Sequence, residues 1–275
     1  MRQELSRSAA GVALLMLSII VTGCASSLYG WQVRTSSTTM PSSFQPAALE
    51  QHTVALFGAI TLPALHGNEV AISYALDEIL HKVSPKWKVM SPRELAKLIN
   101  RHGLAGGYAK MRADFELSHI LDGTTLRKIA SALGVRYVFQ PYLAAFTQTM
   151  TDRWTFPPID LRVSQTRSSI MRLSLQLWDA ETGELVWGSM AETTMQNEGF
   201  SQDPVYLEDI SRATLGSMMQ DFKYGKTAST YTPVNRFLND LIEESVPREQ
   251  PANQETSEPD KSAEGPGLTE KERQP

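Results

Sequence analysis

The chain has 275 residues, 41% of them hydrophobic and 20% charged, with a formal net charge of −4 and one cysteine. These proportions fit one globular domain of ordinary core size, or two small ones, with extensions, and they exclude a disordered chain or a collagen. The mild acidity gives no general attraction for nucleic acid, and a single cysteine excludes a disulfide framework or a zinc site built from several thiolates.

The amino terminus carries Arg2 and Arg7 against Glu4, then an apolar run from Ala9 to Val21, then Thr22, Gly23 and Cys24. Basic, apolar, small is the order of an export signal. The run is well short of the roughly 20 residues a helix needs to cross a hydrocarbon core. The tetrapeptide Val21, Thr22, Gly23, Cys24 resembles the bacterial lipobox, with Val21 in the place of the more usual leucine. That resemblance implies that residues 1–23 are a lipoprotein signal peptide and that the Cys24 thiol is joined to diacylglycerol. It further implies that the new amino group is acylated, palmitate being a typical chain. Two or more acyl chains hold a protein on a bilayer stably where one does not. Lipoproteins kept at the inner membrane commonly have aspartate after the cysteine. Here Ala25 follows it, so the resemblance favours the periplasmic face of the outer membrane.

Residues 24–50 are rich in Ser, Thr and Pro without sustained periodicity, and are expected to be a flexible tether. Thr53 to Ile60 reads as a short buried strand. Asn68 can cap a helix whose Ile72, Leu76, Ile79, Leu80 and Val83 share a face. Trp87 to Met90 is a second short strand. Ser91, Pro92 and Glu94 then stand in register for a capping box with a first-turn proline, and Gly103 suits the stop. Gly103, Gly106 and Gly107 do not follow a strand, so they predict a flexible connection between helices, not a phosphate-cradling loop.

A third helix aligns Leu126, Ile129, Ala130 and Leu133, ends at Gly134, and is followed by a strand over Val135 to Phe139. Met171, Leu173, Leu175 and Leu177 alternate with polar residues, the period of a half-buried strand. Asp179 to Glu184 holds a turn, and Leu185 to Met195 returns as the partner. Asp203 and Pro204 open a helix carrying Leu207, Ile210, Leu215, Met218 and Phe222, and a weaker helix spans about Val234 to Glu244. Residues 245–275 hold five prolines, seven acids against four bases and no aromatic residue, the composition of a disordered acidic tail. The expected fold is a single α/β domain over residues 51–244. It is three-layer-like, with a mixed sheet in the order β-α-β-α-α-β-β-β-α and an antiparallel hairpin end.

The segments "IASALGVRYVF", Ile129 to Phe139, and "LQLWDAETGELVW", Leu175 to Trp187, occur in that order. Together they resemble the periplasmic α/β domain shared by the curli-secretion lipoprotein CsgG, the amino-terminal domain of TolB and the lipoprotein activators of penicillin-binding proteins. Both segments are scaffold elements, so the resemblance implies a fold and a class of partner and carries no catalytic residue. A β-propeller blade also has the look of "DAETGELVW", but a propeller needs the pattern repeated and it occurs once.

No residue is assigned a catalytic, cofactor-binding or metal-binding role. His52, His66, His81, His102 and His119 have no ligand-pair spacing, and neither a P-loop nor a GxSxG is present. Two features stand out as candidate contacts. Arg93, Lys97 and Arg101 recur every four residues on the second helix, either a plain solvated face or an anion-facing stripe. Thr147 to Ser169 separates two strands and holds Arg153, Trp154, Phe156 and Arg162, residue types that dominate interfaces. It is expected to be a partner-binding loop or an extended soluble hairpin, since its charges interrupt the apolar alternation of a membrane-crossing strand.

The expected function is that of a non-enzymatic lipoprotein of the envelope. It would be anchored to the membrane by lipid, bind another envelope protein for assembly, secretion or cell-wall synthase activation, and bind no nucleic acid. An oligomeric outer-membrane secretion pore of the curli type and an envelope hydrolase are the alternatives.

Overall fold

Two kinds of β-strand pattern divide the chain, and the sheet they build divides the same way. The computed structural model describes residues 31–156, 161–199, 205–227 and 232–233, with side chains described for 32–150, 167–196 and 205–227. The strands are β1 (Trp31–Ser37), β2 (Thr53–Leu56), β3 (Ile60–Thr61), β4 (Lys88–Met90), β5 (Tyr137–Phe156), β6 (Leu161–Asp179), β7 (Glu184–Gly199) and β8 (Thr232–Pro233). The helices are α1 (Glu69–Val83), α2 (Pro92–Arg101), α3 (Ala105–Ser118), α4 (Gly123–Leu133) and α5 (Leu207–Tyr224). The strands form one mixed sheet in the order β4-β2-β5-β6-β7-β1-β8, with β3 paired to β5 beyond the end of β2. Strands β4, β2 and β5 are parallel, and β5 through β8 pair antiparallel.

Helices cover the two faces unequally. On one face α1 and α5 pack Ile72, Leu76, Ile79, Leu80, Leu215, Met218 and Phe222 against Val54, Leu56, Phe139, Leu173, Leu175 and Trp187. On the other, α2, α3 and α4 pack Leu95, Ile99, Met111, Phe115, Leu126 and Ile129 against Ala55, Phe57, Val138 and Trp178. The result is the expected three-layer α/β domain.

Three expectations change. The segment 24–50 is not all tether. Trp31–Ser37 pairs along its whole length with β7, from Trp31 opposite Met195 to Ser37 opposite Ser189, and Phe44 and Leu49 are buried. Its inward residues are Val33, Thr35 and Ser37, so the alternation is there in position but weak in hydrophobicity. The domain therefore includes Trp31, upstream of the expected boundary at residue 51. Second, Gly106 and Gly107 lie inside α3, a helix absent from the expected order. It buries Met111 and Phe115, but apolar and polar residues are mixed on all its sides, Leu117 being exposed, which leaves little periodic signal. Third, for Thr147 to Ser169 the loop alternative gives way to the extended hairpin, because among the described residues β5 and β6 run through it as paired strands, up to Phe156 opposite Leu161.

Local chemistry explains the boundaries that were legible. Ser91 caps α2 with both arms of the capping box, its Oγ accepting from the Glu94 amide and its own amide donating to Glu94 Oε2. Gly134 ends α4 at φ +65°. Asn68 precedes α1 without capping it; its amide donates to the Leu65 carbonyl, and Glu69 accepts from Thr61 Oγ1 and the Gly67 amide. The signal segment, Cys24, the helix expected over 234–244 and the tail 245–275 lie outside the described residues. No described helix is long and apolar enough to cross a membrane.

Candidate functional site

The run Thr53 to Ile60 reads as one strand, yet it breaks after Leu56. The reason is that side chains take over its backbone hydrogen bonds. Arg112 from α3 donates to the carbonyls of Gly58 and Ala59, Ser73 Oγ from α1 accepts from the Ala59 amide at 2.9 Å, and Gln140 Nε2 donates to the Gly58 carbonyl at 3.3 Å. Gly58 makes this possible, since a Cβ there would stand 3.2 Å from Arg112 Nη1. A groove opens over this irregular turn.

The groove lies outside the carboxyl ends of β2 and β4. There α1 leaves toward one face of the sheet and α2 toward the other, the position where open α/β sheets bind ligands. Its volume is about 870 Å³. Val70, Tyr74, Asp77 and His81 of α1 form one wall; Pro92, Arg93 and Ala96 of α2, with Tyr108 of α3, form the other. Val70 and Tyr74 are 75% and 73% exposed, large apolar surface left uncovered beside the groove.

Charge in the groove is unevenly compensated. Glu78 is paired with Lys82 at 3.1 Å and with Arg212 at 2.8 Å. Burial pushes its carboxyl up, but these two partners more than offset that and hold it below the usual range. Asp77 differs: burial holds its carboxyl above the usual range, with His81 opposing and Glu94 adding to the rise. Its Oδ1 is buried without a hydrogen bond, and His81 Nδ1 stands 3.7 Å away. The exposure of the side chain, 29%, therefore falls on its other atoms. Across the groove the Arg93 guanidinium is exposed.

The residues expected to form contacts are dispersed. Arg93, Lys97 and Arg101 all sit on the exposed side of α2, opposite buried Leu95 and Ile99. They do not share one site. Arg93 lines the groove, whereas Lys97 and Arg101 line a shallower hollow of about 360 Å³ beside Lys88 at the β4 edge, with Glu94 among them. Arg153, Trp154 and Phe156 lie on β5 and Arg162 on β6, near the end of the paired hairpin; their side chains are outside the described residues. The sequence reading passed over Tyr74, Asp77 and Tyr108. The polar side of α1 was the available signal, and it looks like any solvated face.

Among the described residues no group of three or more His, Cys, Asp or Glu could hold a metal. No family model and no curated protein matches the sequence. Among solved structures the chain is similar to the PelC dodecamer from Paraburkholderia phytofirmans, at 11% identity over 70% of this chain and 97% of that one, TM-score 0.37. It is similar to the lipoprotein GNA1162 from Neisseria meningitidis, at 10% identity over 62% and 93%, TM-score 0.35. A further likeness is to the LpoB C-terminal domain from Salmonella enterica, at 18% identity over 51% and 81%, TM-score 0.31.

Proposed function

We propose that the chain is a non-enzymatic, lipid-anchored protein of the outer membrane whose α/β domain holds another envelope protein. The observation that carries this reading is the β5–β6 arm. The pair runs on to Phe156 opposite Leu161, and four successive residues of β5, Thr147 to Met150, are exposed, while opposite them on β6 Arg167 and Ser168 are half-buried and Ser169 is buried. A strand pair that runs on in this way offers contact area to a second molecule. The leader and Cys24 supply the tether that keeps the arm at a membrane.

Two variants of the full chain test the reading. Cys24→Ser is expected to move the protein from membrane to soluble fractions or to stall its processing, and normal processing with full membrane retention would refute the anchor. Trp154→Ala is expected to reduce crosslinking to the partner in cells while leaving stability within about 0.5 kcal/mol. A folded Trp154→Ala protein with undiminished capture removes the arm from the reading.

The arm also favours a second reading, an oligomeric secretion pore, because β5 and β6 have 20 and 19 residues and a crossing strand needs roughly 9–11. Asp152, Arg153, Arg162 and Arg167 weigh against it, since they interrupt the lipid-facing alternation. Mass in mild detergent separates the two, a closed ring being required for the pore.

A further inference from the structure

The arm gives a reach toward a partner but no chemistry of recognition; the groove between α1 and α2 supplies one. Its two charges without a side-chain hydrogen bond are of opposite sign and on opposite walls. Asp77 on α1 has a buried Oδ1 that accepts no hydrogen bond. Arg93 on α2 is exposed and enters no ion pair or hydrogen bond among the described residues. The remaining charges are occupied: Glu69 accepts from Thr61 and Gly67, Glu78 is held by Arg212 and Lys82, Arg112 is spent on the carbonyls of Gly58 and Ala59, and His81 Nδ1 lies 2.7 Å from the Asp77 carbonyl and 3.7 Å from Asp77 Oδ1. Exposed Val70 and Tyr74 lie along the α1 wall, so the groove is polar at two points and apolar beside them.

Length decides between classes of ligand. From Val70 to His81 the α1 wall runs about 16 Å at 1.5 Å per residue. That matches roughly five residues of extended chain at about 3.3 Å each, and it is several times the span of a free amino acid or a simple amine.

We infer that this groove binds an extended segment of the partner protein that sets a lysine or arginine against Asp77 and an acidic residue against Arg93, with apolar residues between them lying on Val70 and Tyr74. The inference rests on the reading that the domain holds another protein, and it names what part of that protein the groove accepts. A basic group from the partner would donate to the outer oxygen of Asp77, a carboxylate to which the fold gives no hydrogen bond. An acidic group beside Arg93 would stand at the amino-terminal turn of α2.

The test uses the full chain in mild detergent and a labelled pentapeptide, blocked at both ends, of sequence Lys-Val-Leu-Ala-Glu, followed by fluorescence anisotropy. Saturable binding is expected, weakened about tenfold by Asp77→Asn, the loss of one charge-assisted bond of roughly 1.4 kcal/mol. A peptide with norleucine in place of its lysine should bind that weakly from the start and be indifferent to Asp77→Asn. Arg93→Gln should show the same pairing with a peptide carrying Gln in place of its Glu. Tyr74→Ala should weaken every peptide alike, and its 73% exposure leaves the fold intact, which a melting curve on each variant checks.

The inference is overturned by no saturable binding up to 1 mM, or by peptides that ignore the matched substitutions. Spermidine binding as tightly as the peptide would assign the groove to small cations. A rise in mass that Tyr74→Ala abolishes would assign it to a second copy of the chain. None of these outcomes depends on the anchor, which stands or falls on the Cys24→Ser fractionation.

Discussion

The parallel and antiparallel halves of the sheet meet at β5 and obey different rules. In the parallel half both faces are covered, and Val54, Ala55, Leu56 and Phe57 are all 0% exposed, as is the pair Val138 and Phe139. In the antiparallel half burial alternates: Met171, Leu173, Leu175 and Leu177 are at 0%, while Arg172 is exposed and Ser174 and Gln176 are half-buried. Continuous apolar runs mark strands buried on two sides and alternation marks strands buried on one. The lesson for function is that the two halves offer different surfaces. The covered half ends in a groove between diverging helices, and the other half presents an open sheet face and an arm.

The halves are joined underneath by one aromatic cluster, and the largest effect is expected from breaking it. Phe222 of α5 packs at 5.0 Å from Trp187 in β7, 6.0 Å from Trp87 before β4 and 6.3 Å from both Phe139 in β5 and Phe44. Phe222→Ala should cost about 3–5 kcal/mol in denaturant unfolding, with a single transition, because the cavity opens under both halves. Two separated transitions would show that the halves unfold independently.

Arg112→Ala strikes the groove itself. It strips the Gly58 and Ala59 carbonyls of a shared charged donor in a half-buried turn, and about 1–3 kcal/mol is expected. Amide exchange should quicken around residues 57–60 and stay unchanged in β6 and β7. Equal quickening in both halves would mean the turn is not a local feature of the parallel half.

A pH effect separates the halves in another way. Asp221 on α5 accepts from Thr35 Oγ1 of β1, a buried pair that ties the strand beyond β7 in the antiparallel half to the helix beneath it. Burial holds the Asp221 carboxyl above its ordinary value, with the Thr35 hydroxyl and the Lys226 charge opposing the rise. The folded pKa thus exceeds the unfolded value near 3.9. The stabilisation belongs to the protonated form: it is complete below about pH 4 and is lost as pH rises through the folded pKa. Asp221→Asn should therefore improve relative to the parent between pH 4 and pH 7 in urea unfolding. A parent that gains stability relative to Asp221→Asn over that range would reverse the assignment.

The legible parts of the sequence were those where a local rule and the fold agree. The Ser91 capping box, the Gly134 stop and the Leu173, Leu175, Leu177 alternation each carry their own explanation within a few residues. What was missed depends on distant partners. β1 is held by its full register with β7, not by its own hydrophobicity, and α3 is held by Met111 and Phe115 reaching a core that other segments build. The groove was hidden for the same reason, because Tyr74, Asp77 and Arg93 become neighbours only when α1 and α2 diverge from adjacent strands.

The smallest effect is expected on the open face, and it is the sharpest check on the comparison. Met190 of β7 is 61% exposed, and its cross-strand partners are Ser36 on β1 and Ser174 on β6, so no apolar neighbour flanks it on either side. Met190→Thr keeps a good strand former at a position with nothing to pack against, and a change within about 0.5 kcal/mol is expected. Leu173→Ala, on the covered face of the same strand pair, should cost about 2–5 kcal/mol. The contrast holds only if nothing lies on the open face. Were Met190→Thr to cost as much as a core truncation, the face would be covered in the intact protein, and the division between a sealed parallel half and an open antiparallel half would give way to two sealed halves with the arm as the remaining free surface.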